Sequence, residues 1–353
     1  MKPNRPTVAD LGRYDEIIDV RSPAEFAEDH IPGAINCPVL DDAQRAEIGT
    51  LYKQVSPFEA KKLGAALVSE NIARHLRERF LDRPKTWKPL IYCWRGGDRS
   101  GSMTTIFRAI GWPAGQLDGG YKAWRGHVIA QLAELPERFR YTVLCGATGN
   151  AKTRILQALG QRGEQVLDLE TLASHKGSVL GVLPGQPQPS QKSFETSLLS
   201  ALQAFDPARP VYVEAESRKI GNLHLPETMI NCIRRGDCLK IEASLDARVD
   251  FLLKDYDYFL DLPDFLIARL DALSSLQSRE TLSRWRQMAQ QGAWPQLVRE
   301  LLAQHYDPLY QRSQQHSFGD LKALPNFTTD DLSTAGIARL AEAILHSRMA
   351  QMA

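Results

Sequence analysis

The chain has no run of about 18 consecutive apolar residues, so nothing in it reads as a membrane-spanning helix and no membrane partner is expected. It has almost no net charge: 43 basic residues stand against 42 acidic ones, a balance of +1. That excludes a uniformly basic nucleic-acid coat but not a local basic patch, because net charge hides patterning. Cysteine is sparse. Cys37, Cys93, Cys145, Cys232 and Cys238 are an odd number with no Cys-x-x-Cys spacing. This argues against a disulfide scaffold or a zinc ribbon and fits the reduced thiols of a cytoplasmic protein. The eight histidines form no His-x-His or His-x-x-x-His pair, so no metal site is read from them. The opening MKPNRPTVADLGRYDE has Pro, Asp and Glu where a signal peptide needs an apolar stretch. What remains is ordinary globular composition over 353 residues, 43% hydrophobic and 24% charged. At about 150 residues per domain, roughly two domains are expected.

Residues 1–13 read as an unstructured lead-in. Residues 14–133 alternate strand-like segments (14–20, 90–93, 116–117) with a helix-like one (100–110), the pattern of an α/β layer with a parallel sheet. Residues 136–138 read as a connector. A second α/β domain is expected over residues 139–350, with strands at 141–145, 165–169, 210–214 and 239–242. From about residue 247 amphipathic segments dominate, so its C-terminal part is expected to be helical. The Pro/Gly/Gln-rich stretch 181–191 reads as a loop.

Between the strand at 90–93 and the helix at 100–110 lies Cys93-Trp94-Arg95-Gly96-Gly97-Asp98-Arg99-Ser100. A strand-to-helix turn of this kind aims backbone N–H groups at its own centre above a helix N-terminus, which binds anions and stabilises a thiolate. Gly96 and Gly97 permit the tight turn. Cys93 is the candidate nucleophile. Arg95, Gly96, Gly97, Arg99 and Ser100 are the candidate anion binders, with Arg99 offering a fork of donors. Asp98 is out of place in an anion cradle, and its side chain is expected to point outward or to pair with an arginine.

A second constellation follows the strand at 141–145: Gly146-Ala147-Thr148-Gly149-Asn150-Ala151-Lys152-Thr153. It is the G-x-x-x-x-G-K-[ST] phosphate loop with Ala151 in place of the second glycine. Gly146, Thr148, Gly149, Asn150, Lys152 and Thr153 are the candidate phosphate-binding residues. Lys152 would reach terminal phosphates. Thr153 could ligate Mg²⁺, with Glu214, at the end of the strand 210–214, as its acidic partner and Glu216 nearby. The methyl group of Ala151 is expected to crowd the phosphate or restrict the loop.

Arg74, Arg77, Arg79, Lys85 and Lys88 crowd a short stretch beside Trp87, and Arg218 and Lys219 follow Glu216. Cations of this kind hold an RNA backbone, and an aromatic side chain can stack on an unpaired base. These seven are the candidate RNA-binding residues; a solvated surface is the other reading of each group.

The cysteine loop, together with Asp19-Val20-Arg21-Ser22-Pro23-Ala24-Glu25-Phe26, His30-Ile31-Pro32-Gly33-Ala34-Ile35-Asn36 and Leu117-Asp118-Gly119-Gly120-Tyr121-Lys122-Ala123-Trp124, resembles the rhodanese domain. Rhodanese loops commonly have four residues between Cys and Arg; five, as here, resembles the rhodanese-related phosphatases. A rhodanese-like domain followed by a P-loop NTPase-like domain resembles the tRNA 2-selenouridine synthase family over nearly the whole length. Gly49-Thr50-Leu51-Tyr52-Lys53-Gln54, Gln191-Lys192-Ser193-Phe194-Glu195, Val213-Glu214-Ala215-Glu216-Ser217-Arg218-Lys219 and His305-Tyr306-Asp307-Pro308-Leu309-Tyr310 also carry the likeness.

The resemblance implies a transferase acting on tRNA with a 2-thiolated wobble uridine. Geranyl diphosphate would first alkylate the sulfur. Selenium from selenophosphate would then replace the S-geranyl group, with Cys93 carrying selenium. The cradle around Cys93 would take selenophosphate, and the phosphate loop would take the diphosphate of the geranyl donor or a nucleoside triphosphate. No tightly bound cofactor is expected, and Mg²⁺ is the ion the loop allows. A rhodanese-related phosphatase and a nucleotide-gated sulfur or selenium carrier are the competing readings.

Overall fold

The structure is a computed structural model that describes residues 5–317 and 325–352. The chain divides into two compact units. One runs up to Gln131 and takes in Ser190–Thr196; the other comprises Leu132–Pro189 and the chain from Ser197 onward.

In the first unit the strands are β1 (Glu16–Asp19), β2 (Ile35–Asn36), β3 (Pro89–Tyr92) and β4 (Gly115–Gln116), in the order β2-β1-β3-β4. All pairings are parallel, with Ile18 opposite Ile35 and Ile91, and Ile91 opposite Gln116. Every residue of β3 is buried, as its unbroken apolar run requires of a strand covered on both faces. The helices are α1 (Pro23–Glu28), α2 (Asp42–Gln54), α3 (Pro57–His75), α4 (Asp98–Ile110) and α5 (Gly120–Glu134). Ser56 starts α3 by accepting from the N–H groups of Phe58 and Glu59, with Pro57 in the first turn. Phe80, Trp87, Phe107 and Trp112 pack edge and face at 5.0–5.8 Å between centroids. Each is nearly or wholly buried, a gain of roughly 1.5–3 kcal/mol apiece against exposure.

The lead-in is more ordered than its sequence suggests. Val8–Arg13 forms a 3-10 turn closed by Thr7 and Asp10. Asp118 N–H donates to the Pro6 carbonyl at 2.8 Å. The backbone groups of this segment find partners on the first unit, which short polar sequence does not reveal. Residues 1–4 of the expected lead-in lie outside the described residues.

In the second unit β5 (Tyr141–Cys145), β6 (Gln165–Leu167), β7 (Val211–Glu214), β10 (Asp237–Glu242) and β11 (Asn326–Thr328) form a parallel sheet in the order β11-β10-β5-β7-β6. A separate antiparallel pair is β8 (Lys219–Ile220) and β9 (Leu223–His224). The fully buried β5 is central. Chain order reverses across it: β6 and β7 lie on one side and β10 on the other. Ligands of open α/β sheets bind in the crevice at the carboxyl ends of strands flanking such a reversal.

Helix α6 (Lys152–Gln161) leaves β5 through the phosphate loop and buries Ile155, Leu156 and Leu159. Beyond residue 244 helices dominate. Leu245–Asp255, Pro263–Leu270, Arg279–Gln290 and Trp294–Leu301 are among them, and a second apolar core surrounds Trp285. The strand β11 interrupts this helical part; residues 318–324 of the expected second domain lie outside the described residues. No described helix is long and apolar enough to cross a membrane.

Candidate active site

The cysteine loop sits where β3 ends and α4 begins. Cys93 is 3% exposed, and Ser100 Oγ lies 3.2 Å from its Sγ, placed to donate to it. Gln116 Nε2 donates to Ser100 Oγ at 2.9 Å and to the carbonyls of Gly96 and Gly97 at 2.9 and 3.0 Å. That donation occupies a lone pair of the Ser100 oxygen and leaves its proton for the sulfur or for Gly97 O. Arg5 Nη1 also donates to Gly96 O, at 2.9 Å. Gly96 has φ +65°, and a Cβ there would stand 2.7 Å from Leu117 O. Only glycine fits this turn. Asp98, in the first turn of α4, is exposed, as an outward-pointing carboxylate should be.

Arg99 departs from expectation. Its guanidinium faces Glu25, with Nη1 to Oε2 at 2.7 Å, instead of standing free as an anion fork. Glu25 is held in place as the third residue of α1, where its carboxylate also accepts from Ser22 N–H. Burial pushes the Glu25 carboxyl up, but the Arg99 hydrogen bond and charge outweigh it and hold the group below the usual carboxylate range. Arg95 is exposed. Gln116 and Glu25 were not singled out in the sequence. Glu25 sits in the Ser22-x-x-Glu25 capping pattern, a signal that was available; a lone glutamine on a two-residue strand carries none.

The phosphate loop follows β5. Lys152 Nζ donates to Gly146 O at 3.0 Å, so the amine curls over the loop's own backbone. Thr153 Oγ1 donates to Glu170 Oε2 at 3.0 Å. Glu214 ends β7 opposite Leu144 of β5, which carries its carboxylate to the loop. Gly146, Thr148, Gly149, Lys152 and Thr153 line a cavity of about 480 Å³ with Glu170, Glu214 and Glu216.

One of the residues assigned to this loop differs from expectation. Asn150 is buried with its amide committed to the fold: Nδ2 donates to Ile241 O at 2.8 Å, and Oδ1 accepts from Ala243 N–H at 3.2 Å. It ties the loop to the end of β10 and is not turned to a phosphate. Ala151 adopts the left-handed conformation, φ +54°, of the glycine it replaces. That is a conformation glycine adopts freely and alanine only under strain, and the Ala151 methyl group is buried.

Carboxylate oxygens of Glu170, Glu214 and Glu216 lie within 4.8 Å of one another. Glu214 is 5% exposed and its Oε1 has no hydrogen-bond partner. Burial, then the charges of Glu214 and Glu216, push Glu170 up to about 9. Burial and the Glu214 charge push Glu216 up to about 7, and burial raises Glu214 as well. Three carboxylates, Glu214 buried and the other two half-buried, with one orphaned oxygen and a threonine hydroxyl beside them, are a hard-oxygen donor set that suits Mg²⁺. Glu170, in the first turn of a short helix, belongs to no sequence motif; only the fold brings it here.

The basic residues separate. Arg74, Arg77, Arg79, Lys85 and Lys88 are exposed, but Trp87 is 4% exposed in the aromatic core and cannot stack on a base. Its neighbour Arg83 pairs with Glu16. Arg218 and Lys219 are both exposed, and Arg218 also lines the phosphate cavity together with Arg234.

Residues 7–127 match the family model of the rhodanese-like domain, and residues 139–264 that of the tRNA 2-selenouridine synthase AAA domain. The class so defined joins a rhodanese-like thiol domain to a phosphate-loop domain in one chain. Among curated proteins, the tRNA 2-selenouridine synthase of Alcanivorax borkumensis is 35% identical over 327 residues, covering 83% of this chain and 88% of that protein. That of Marinobacter nauticus is 31% identical over 341 residues, 86% of this chain and 90% of that one. That of Nitrosomonas europaea is 36% identical over 247 residues, 68% of this chain and 63% of that protein's length. The chain belongs to the tRNA 2-selenouridine synthase family.

Proposed function

We propose that this protein is a transferase that converts the 2-thiouridine at the wobble position of tRNA into 2-selenouridine in two steps. In the first, the thiocarbonyl sulfur attacks C1 of geranyl diphosphate; a C–S bond forms, the C–O bond breaks and diphosphate leaves. In the second, the selenium of selenophosphate attacks C2; a C–Se bond forms, the C–S bond breaks and geranylthiol leaves, and water then cleaves the Se–P bond to release phosphate, with Cys93 as the catalytic cysteine of the cradle that takes selenophosphate. The observation that carries the reading is the pairing, on one chain of this family, of a buried thiol facing a serine hydroxyl (Cys93 and Ser100) with a phosphate loop bearing Lys152.

The two sites match the two chemistries. The Ser100 hydroxyl stands 3.2 Å from the Cys93 sulfur, where it can donate to that atom and orient it. Lys152, Arg218 and Arg234 set positive charge around the phosphate cavity, where the leaving diphosphate gathers its own. Thr153, Glu170, Glu214 and Glu216 would hold Mg²⁺, which supplies further neutralisation of that charge when bound. At the cradle, an incoming selenophosphate would compete with Glu25 for Arg99. The exposed Arg74, Arg77, Arg79, Lys85 and Lys88, with Lys219, would hold the tRNA backbone. Five free cysteines fit a reducing cytoplasmic setting.

The test is nucleoside mass spectrometry of thiolated tRNA after addition of geranyl diphosphate and then selenophosphate. Cys93→Ser is expected to accumulate S-geranyl-2-thiouridine and form no selenouridine. Selenouridine at the normal level in that variant would overturn the assignment of Cys93.

A further inference from the structure

The polar phosphate cavity does not end at the loop. A second cavity opens from it, and the two share Thr148, Ser178, Leu252, Tyr256 and Tyr306 as walls. Beyond that junction its surface is almost wholly apolar. One side is a stripe of the helix Trp294–Leu301: Trp294, Leu297, Val298 and Leu301, at the i, i+3, i+4, i+7 spacing that puts four side chains on one face. The other side is Leu252 and Leu253 of the helix Leu245–Asp255, with Phe259 and Leu260 beyond. Leu252 also bears on the loop itself: a Cβ on Gly149 would lie 3.0 Å from its Cδ1. Polar hydroxyls thus stand only where the two cavities meet.

We infer that this slot holds the hydrocarbon tail of a prenyl diphosphate whose head is bound by the phosphate loop. The inference rests on the proposed alkylation step and says where its donor lies. A nucleobase would need hydrogen-bond partners for its ring edges, and the walls beyond Thr148 and Ser178 offer it almost none. A branched hydrocarbon needs none and gains from each apolar contact. The slot therefore selects an apolar tail over a base on the same phosphate anchor, which a phosphate loop alone cannot do.

Calorimetric titration of the full-length protein with inorganic diphosphate, dimethylallyl diphosphate, geranyl diphosphate and ATP tests this. Affinity is expected to rise along the first three, with geranyl diphosphate at least about tenfold tighter than inorganic diphosphate. Val298→Trp, which fills the slot, should remove most of that gain and shift inorganic diphosphate less than about twofold. Leu260→Asp, at a position 39% exposed and so tolerant of change, carries the same expectation should Val298→Trp fail to fold. Equal affinity for geranyl and inorganic diphosphate would overturn the slot and leave the phosphate loop standing. A geranyl gain untouched by either variant would overturn its location. Binding of ATP that is tighter than geranyl diphosphate and lost in Val298→Trp would assign the slot to a nucleoside. Binding of no diphosphate at all would overturn both this inference and the proposed first step.

Discussion

The two sites differ in how far the protein satisfies its own polar groups. Around Cys93 they are paired: Arg99 with Glu25, Ser100 with Cys93 and Gln116, Gly96 O with Arg5 and Gln116. Around the phosphate loop Lys152, Thr153 and Asn150 are paired as well, but the carboxylates opposite are not fully so. Three carboxylates crowd within 4.8 Å, Glu214 Oε1 has no partner, and the cavity measures about 480 Å³. The thiol site is complete in side-chain terms and needs an incoming group to compete for Arg99. The phosphate site is built to be completed by ligands. Burial and crowding push these carboxyls up and keep them from ionising together, so the second unit should respond strongly to a cation that replaces their protons, and the first should respond less.

The largest expected effect comes from separating the two chemistries. Lys152→Ala removes a cation from the position where the proposed first step would develop diphosphate charge, and should slow S-geranylation by roughly a hundredfold or more. Because the cradle's side-chain partners lie within its own unit, alkylation of Cys93 by iodoacetamide should keep its normal rate in that variant. Conversion of S-geranyl-2-thiouridine, supplied ready-made, should be retained too. Loss of Cys93 reactivity in Lys152→Ala would break the comparison, because the two sites would then act as one.

A smaller effect is expected from the ion. Magnesium binding only to the folded state at a hundred times its dissociation constant stabilises by about 2.7 kcal/mol. Thermal unfolding with and without Mg²⁺ should show an upward shift that EDTA abolishes. Glu170→Gln removes one of the three crowded carboxylates. It should raise the stability of the ion-free protein and shrink the response to Mg²⁺. An unchanged midpoint in the wild-type protein would count against Glu170, Glu214 and Glu216 as an ion site.

The same contrast explains what was legible in the sequence. Both loops announce themselves, because their glycines and key side chains are contiguous and follow apolar strands. Their partners do not. Gln116 and Glu25 reach the cysteine loop from 16 and 74 residues away from Ser100 and Arg99. Glu170 reaches Thr153 across 17 residues from a five-residue helix with no motif of its own. Trp87 reads as a base-stacking aromatic by its basic neighbours, yet the aromatic core claims it. The edge strand β11 pairs with β10 across more than 80 residues, a distance no local pattern bridges. Asn150 has the position of a phosphate binder and is instead spent tying the loop to Ile241 and Ala243.

The smallest effect is the most diagnostic of how the phosphate loop is held. Ala151 sits at φ +54° with its methyl group buried. An L-residue in this region costs roughly 1–2 kcal/mol. Ala151→Gly would recover that strain, but glycine loses about 0.5–1 kcal/mol more backbone entropy on folding, and removal of a buried methyl forfeits about 0.8 kcal/mol. The terms nearly cancel, so urea unfolding should show a net change below about 1 kcal/mol. Diphosphate affinity should stay within about twofold, because the backbone path is the same for both residues. Ala151→Val, which keeps the methyl and adds β-branching where φ is positive, should destabilise clearly more than Ala151→Gly changes anything. If Ala151→Gly instead tightened diphosphate binding tenfold, the methyl group would be obstructing the phosphate, and the loop would be an impaired site and not a glycine-like one.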